Sequence, residues 1–88
     1  MNYQPPEPKA KAPFSRHHLF ESLRKWAREN VDRFDDPDEF LAATHVYAEA
    51  QVTKFSPTLG GLALDLTDEV VDATATGCAQ WWWRHSKR

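Results

Sequence analysis

The chain has 88 residues, of which 41% are hydrophobic and 27% are charged, as in an ordinary globular domain. This length allows one domain with a small core, and the single cysteine, Cys78, excludes a disulfide within the chain. No apolar run reaches the roughly 18 residues that span a bilayer. A lone cysteine and the lack of an apolar N-terminal signal segment predict a cytoplasmic protein. Because so small a core is marginal, we expect a homodimer.

The net charge of −2 is divided among three zones. Residues 1–34 carry seven Lys/Arg and four acids, a net of +3. Residues 35–72 carry one lysine and nine acids, a net of −8, and residues 73–88 carry three Lys/Arg and no acid, a net of +3. This basic–acidic–basic order suits helices that pack against oppositely charged neighbours, in the same chain or in another one. It suits nucleic-acid binding poorly, because phosphate contacts favour one broad positive face.

Residues 1–13 (MNYQPPEPKAKAP) contain four of the six prolines and predict a disordered, Pro-rich arm, either a solubilising tail or a docking peptide. Residues 14–88 form the predicted helical domain. Its first helix is expected over residues 15–34, with Ser15 as N-cap and Phe14 packing on Leu19. The apolar positions that predict it are spaced by three or four: Leu19, Leu23, Trp26, Ala27, Val31 and Phe34.

A second helix is predicted over residues 37–55, with Asp36 as N-cap, Pro37 at the first helical position and Glu39 placed as in a capping box. It has two adjoining apolar stripes, which is typical of a central helix that contacts two neighbours. Leu62, Leu64 and Leu66 alternate with other residues, but this alternation is too short to predict a strand.

A third helix is predicted over residues 67–85, with Thr67 as N-cap. Its middle, from Ala73 to Ala79, contains only small residues, and Gly77 there costs about 1 kcal/mol relative to alanine. Close approach of a second helix is the simplest compensation, so Ala73, Gly77 and Cys78 are the predicted helix-packing and dimer residues.

The predicted fold is therefore all-α: a small three-helix bundle, or a helical hairpin plus a C-terminal helix, with a disordered N-terminal arm. The predicted core consists of Leu19, Leu23, Trp26, Val31, Phe40, Leu41, Tyr47, Ala48, Val52, Phe55 and Val70.

No group of residues has the spacing of a catalytic or cofactor site. His17 and His18 point about 100° apart on a helix and do not chelate one ion together, while Cys78 and His85 supply only two ligands. Phosphate loops, dinucleotide fingerprints and nucleophile elbows are missing from the sequence. We expect no metal, no cofactor, no small-molecule substrate and no enzymatic activity.

The sequence WWWRHSKR, residues 81–88, is the strongest functional signal. Three consecutive indoles on a helix cover about 200° of its circumference. The core of a single small domain cannot bury so wide an arc. At least one of Trp81, Trp82 and Trp83 is expected to be exposed and to bind a partner, because tryptophan is enriched in binding hot spots. Trp83 is the predicted anchor, since it lies in line with Asp72, Thr76 and Ala79 on a more polar side. Arg84 is expected at the rim of the interface.

The predicted function is that of a non-enzymatic regulator, an inhibitor, anti-activator or adaptor, that masks a surface of a partner protein. A transcription regulator is one candidate for that partner. The alternative is a small nucleic-acid-binding transcriptional regulator that uses Arg24, Lys25 and Arg28 together with the WWWRHSKR segment. A membrane-surface role, and a purely structural role in which two indoles cap the core, are further alternatives. The composition, rich in Ala, Arg and Asp, suggests a bacterial or phage source.

Overall fold

A computed structural model describes residues 13–57 and 61–86 and shows an all-α fold, as predicted. Its helices are α1 (Arg16–Asn30), α2 (Pro37–Phe55) and α3 (Asp68–Ser86), and a 3-10 turn (Val31–Arg33) follows α1. Each helix boundary agrees with the sequence prediction to within one residue, except that α1 changes to 3-10 geometry over its last predicted turn. The predicted disordered arm lies outside the described residues apart from Pro13.

The helices begin at the predicted capping residues. Ser15 caps α1, where its Oγ accepts from the backbone N–H of His18 at 3.5 Å and its own N–H donates to His18 Nδ1 at 3.1 Å, which completes a capping box. Asp36 caps α2, where its Oδ1 accepts from the backbone N–H of Asp38 at 3.0 Å. The bond is made one residue before Glu39, the residue that the sequence predicted as the partner of Asp36 in a capping box. Thr67 Oγ1 accepts from the N–H of Val70 at 3.2 Å at the start of α3.

Aromatic contacts at both ends of the bundle fix the order of the helices. Phe14, just before α1, stacks on Phe55 at the end of α2 with ring centroids 4.4 Å apart. Phe40, near the start of α2, lies 5.9 Å from the ring of Trp83 near the end of α3. Helix α2 is therefore antiparallel to both α1 and α3. The three helices form an up-down-up bundle.

Residues 61–63, which precede α3, pair with the chain at the end of the bundle where α1 begins. Phe14 donates its N–H to the carbonyl of Gly61 at 2.8 Å and accepts from the N–H of Ala63 at 3.0 Å. These bonds form an isolated parallel bridge between Phe14 and Leu62, and no strand occurs among the described residues. Gly61 has φ of +62°, a conformation that only glycine adopts without strain, and it turns the chain here.

The core lies between the three helices and agrees in part with the predicted core. Five predicted residues are buried: Leu19, Leu23, Val31, Phe40 and Ala48. The other six are half-buried and pack against them: Trp26, Leu41, Tyr47, Val52, Phe55 and Val70. The prediction omitted several residues that are buried: Phe14, Ala27, Thr44, Leu66, Val71, Ala75, Cys78 and Ala79. Most of these omitted residues are small, so the helices approach each other closely along α3.

Candidate protein-binding surface on the third helix

The three consecutive indoles occupy different environments. Trp81 is 48% exposed, whereas Trp82 and Trp83 are half-buried and pack against the core. The prediction that at least one of these indoles is substantially exposed is confirmed for the free chain. Burial of that indole on binding stays a prediction.

The prediction that Trp83 is the most exposed indole is wrong. Its ring lies 5.9 Å from that of Phe40, so it extends the aromatic core at the end of the bundle. The prediction rested on the line of Trp83 with Asp72, Thr76 and Ala79, and this line faces α2 rather than solvent. Ala79 is buried, and the Thr76 hydroxyl lies 3.0 Å from His45 Nε2 of α2. Polar residues on this line therefore mark a contact between helices, and the exposed indole is Trp81.

Trp81 is held in place although it is half exposed. The His85 ring stacks on it with centroids 3.9 Å apart and an interplanar angle of 17°, and Trp82 packs edge-on at 5.0 Å. His85 Nδ1 also lies 2.8 Å from the Trp81 carbonyl oxygen, which ties the stacking ring to the backbone of α3. An exposed aromatic side chain fixed in this way loses little conformational entropy on binding.

The surface continues along α3 through Gly77 and Ala73, which are spaced four residues apart from Trp81 and from each other and are both exposed. A Cβ placed on Gly77 would meet nothing within 4 Å, so the space above this turn is open. Phe20 of α1, 44% exposed, lies across a groove of about 430 Å³ from Ala73 and Gly77. We refer to Phe20, Ala73, Gly77 and Trp81 as the Trp81 face.

Cys78 and Arg84 lie apart from the exposed surface of Trp81. Cys78 is buried, and burial raises the pKa of its thiol to about 11. It therefore takes part in helix packing within the chain, and only its edge reaches the groove beside Phe20. Arg84 is exposed and lines a different depression, formed with Trp83, Asp38 and other residues at the start of α2.

The basic residues of the alternative prediction lie on α1. Arg24, Lys25 and Arg28 line one shallow depression with Glu21 and Ser22, and no described residue of α3 lines it. Arg24 is engaged within its own helix, because its Nη2 lies 3.2 Å from Glu21 Oε1. Lys87 and Arg88, the other cations in this prediction, lie outside the described residues.

His45 makes a polar link between two helices at the edge of the acidic zone. His45 of α2 lies 3.1 Å through Nδ1 from the Asp72 carboxylate of α3, and Nε2 of the same ring lies 3.0 Å from the Thr76 hydroxyl. Glu49 and Asp68 line the groove beside this pair. Among residues 13–57 and 61–86, no group of three or more His, Cys, Asp or Glu side chains is placed to hold a metal ion. The contacts of His45 with Asp72 and Thr76 join α2 to α3.

No known protein family, curated protein or solved structure matches this chain. Among the described helices, none has the length and apolar character required to cross a membrane. Sequence reasoning missed Phe20 as part of the candidate surface. The signal was present, because Phe20 is a large apolar residue that falls outside the apolar stripe of its own helix.

Proposed function

We propose that this protein is a non-enzymatic, cytoplasmic protein-binding regulator of the inhibitor, anti-activator or adaptor type, which masks a surface of a partner protein with the Trp81 face. The observation that carries the proposal is the fixed, half-exposed indole of Trp81, stacked on His85 at 3.9 Å. A folded chain gains nothing in stability from leaving such a ring in water. A partner surface that covers it supplies the missing burial.

The Trp81 face has the composition of a small interface centre. Phe20 lines a groove with Gly77, and Trp81 lies one helical turn beyond Gly77 on α3. The space above Gly77 is open, so a partner segment has room for close approach there. Aromatic anchors of this kind supply most of the free energy at protein interfaces, and the surrounding residues mainly exclude water. Arg84, which the sequence placed at the rim, lines the depression beside Trp83 and Gln80 and lies outside the Trp81 face.

Trp82 and Trp83 have supporting roles in the proposed interface. Trp82 packs edge-on against Trp81 with ring centroids 5.0 Å apart, and Trp83 anchors the end of α3 on Phe40 at 5.9 Å. Trp82 therefore supports the indole of Trp81 directly, and Trp83 holds the end of the helix that carries it. The exposed part of Trp82, which packs against Trp81, adds to the contact area of the bound partner.

Affinity capture from lysate of the source cells, with nuclease treatment, tests the proposal. The bait is the full chain, immobilised in three forms: wild type, Trp81→Ala and Gln80→Ala. Gln80 is the control, because it is exposed on the same helix but lines a different depression. We expect a protein that wild type and Gln80→Ala retain and that Trp81→Ala loses. A protein captured equally by all three baits would contradict the Trp81 assignment.

The salt dependence of the captured complex separates this function from nucleic-acid binding. An interface anchored by indoles changes little between about 50 and 200 mM salt, whereas a complex with six or more phosphate contacts loses about three orders of magnitude in affinity. Steep salt dependence, together with loss of capture after nuclease treatment, would favour the basic residues of α1 as the site and overturn the proposal.

A further inference from the structure

The groove of the Trp81 face has a cationic edge. Besides Phe20, Ala73 and Gly77, it is lined by Arg16 and His17, which are exposed and are the first two residues of α1. No acidic residue of the described chain lines it. Arg16 has no acidic partner among residues 13–57 and 61–86, so its charge is available to a ligand. The dipole of α1 also favours negative charge at this end of the helix.

The groove on the other side of α3 has the opposite charge. It is lined by Glu49, Asp68 and Asp72, and the Asp72 carboxylate lies 3.1 Å from His45 Nδ1. Helix α3 therefore separates an acidic groove, which it shares with α2, from a cationic groove, which it shares with α1. Complementary charge directs association, so a negatively charged segment is steered to the α1 side.

A second arginine, Arg24, lies at the level of Trp81. Helices α1 and α3 run parallel, because both are antiparallel to α2, and the groove sets Phe20 beside Gly77. Arg24 and Trp81 each come four residues later on their own helices, a rise of about 6 Å in both cases. Arg24 Nη2 lies 3.2 Å from Glu21 Oε1, but both side chains are about half exposed, so this ion pair is weak.

The two arginines flank the aromatic ring of α1 that faces the groove. Arg16 lies four residues before Phe20 and Arg24 four residues after it, each about 40° from Phe20 round the helix. Side chains at this spacing are neighbours on the helix surface. A ligand that covers Phe20 and Trp81 with apolar groups therefore meets a guanidinium group on each side. Carboxylates suit these positions, because they accept two parallel hydrogen bonds from a guanidinium.

The floor of the groove favours a helical ligand. Ala73 and Gly77 lie in the middle of α3, where the backbone N–H and C=O groups bond within the helix. A segment that excludes water there has to satisfy its own backbone hydrogen bonds, as an α-helix does. Both floor residues are small and the space above Gly77 is open, so a second helix has room to approach closely.

We propose that the segment of the partner held by the Trp81 face is an acidic amphipathic helix, a proposal that rests on the protein-binding function above. Its apolar side chains, spaced three or four residues apart, cover Phe20, Gly77 and Trp81. Aspartate or glutamate residues on either side of these apolar positions pair with Arg16 and Arg24.

These charges suit a helix of a partner protein better than a nucleic-acid strand. A strand carries one phosphate per nucleotide and needs a positively charged groove along its whole length. The groove supplies two arginines, and the acidic groove lined by Glu49, Asp68 and Asp72 lies on the other side of the same helix. The net charge of the chain is −2, so a long polyanion is repelled beyond the Trp81 face.

Selection from a peptide library tests the chemistry of the bound segment. The probe is a phage-displayed library of random peptides of about 16 residues, long enough for four helical turns. The full chain is immobilised as wild type, Trp81→Ala and Gln80→Ala. Wild type and Gln80→Ala are expected to enrich peptides with apolar residues at helical spacing and with more Asp and Glu than the unselected library. Trp81→Ala is expected to lose these peptides.

Charge reversal tests the pairing with the two arginines. One selected peptide, labelled with fluorescein, is titrated with the full chain and followed by fluorescence anisotropy. Arg16→Glu and Arg24→Glu are each expected to raise Kd about tenfold, because each variant loses an ion pair and opposes like charges. A form of the peptide with Lys in place of Asp and Glu is expected to bind Arg16→Glu more tightly than it binds wild type.

The matched control for charge reversal is Lys25→Glu, which changes the net charge by the same amount. Lys25 is exposed on α1 but comes five residues after Phe20, about 140° round the helix and away from the groove. We expect this variant to change Kd less than about threefold. Far-UV circular dichroism checks that each variant is folded.

Two results would overturn the acidic helix and leave protein binding by Trp81 intact. One is a set of selected peptides that depend on Trp81 but carry no excess of Asp and Glu. The other is an equal rise in Kd for Arg16→Glu and Lys25→Glu, which would attribute the effect to net charge alone.

Two other results would overturn the proposed function together with the acidic helix. Peptides that Trp81→Ala retains as well as wild type would remove Trp81 as the anchor. An oligodeoxythymidine of about 20 nucleotides that binds wild type more tightly than any selected peptide, and that Trp81→Ala fails to bind, would assign the groove to nucleic acid.

Discussion

Replacing Trp81 and Trp83 separately with alanine distinguishes a binding indole from a folding indole. The two residues lie two positions apart on α3 and undergo the same substitution, so the change in helix propensity is the same. Their surroundings differ, because Trp83 packs against the core with its ring 5.9 Å from Phe40, while Trp81 is 48% exposed. Differences in unfolding free energy between the variants therefore report the side-chain contacts of the two indoles.

The expected losses follow from these contacts. A buried aromatic residue replaced by alanine costs about 3–5 kcal/mol, and Trp83 is half-buried, so we expect Trp83→Ala to lower the free energy of unfolding by about 2 kcal/mol. Trp81 loses its stack on His85 and its edge contact with Trp82, which amounts to about 0.5–1 kcal/mol. A domain of this size changes its melting temperature by about 4–8 °C per kcal/mol.

Thermal unfolding followed by circular dichroism measures both variants under the same conditions. The expected decrease in melting temperature is about 8–16 °C for Trp83→Ala and below about 8 °C for Trp81→Ala. Equal decreases for the two variants, or a larger decrease for Trp81→Ala, would refute the assignment of Trp83 to the fold and Trp81 to the surface.

Three further predictions follow from single sites. Gly77→Ala is expected to raise the free energy of unfolding by about 1 kcal/mol, because the added methyl group meets nothing within 4 Å, and an unchanged or lower denaturation midpoint would contradict this. Ser15→Ala removes the hydroxyl of the capping box and is expected to lower that energy by about 1 kcal/mol in the same assay. Burial raises the pKa of the Cys78 thiol from 9.0 to about 11, which lowers its thiolate fraction at pH 8 about a hundredfold. Iodoacetamide is therefore expected to alkylate Cys78 about a hundredfold more slowly than an exposed thiol at this pH. Equal rates would mean that the site opens readily.

The helices could be predicted from the sequence because their signals are local. Ser15, Asp36 and Thr67 precede the helices as N-caps, and apolar spacing of three or four residues continues between them. Each signal depends on residues within one or two turns. The 3-10 turn at Val31–Arg33 and the bridge between Phe14 and Leu62 were not predicted, because they depend on contacts across the bundle.

The candidate site could be predicted only in part for the same reason. Three adjacent indoles cannot all be buried in a small core, so the sequence alone indicates an exposed one. Which indole is exposed depends on how α3 is rotated about its own axis. That rotation is set by α1 and α2, where Ala75 and Ala79 are buried and His45 contacts Thr76. The small residues Ala75 and Ala79 are as completely buried as large ones. The hydrophobicity of the residues of α3 therefore did not show which side of the helix faces the core.

A binding titration tests whether Trp81 anchors a partner protein. The measurement is isothermal titration of the purified captured partner into wild type, Trp81→Ala and Gln80→Ala. Truncation of an anchoring indole costs about 2 kcal/mol or more, so we expect at least a thirtyfold rise in Kd for Trp81→Ala and less than a threefold change for Gln80→Ala. A folded Trp81→Ala variant that binds as tightly as wild type would contradict the claim.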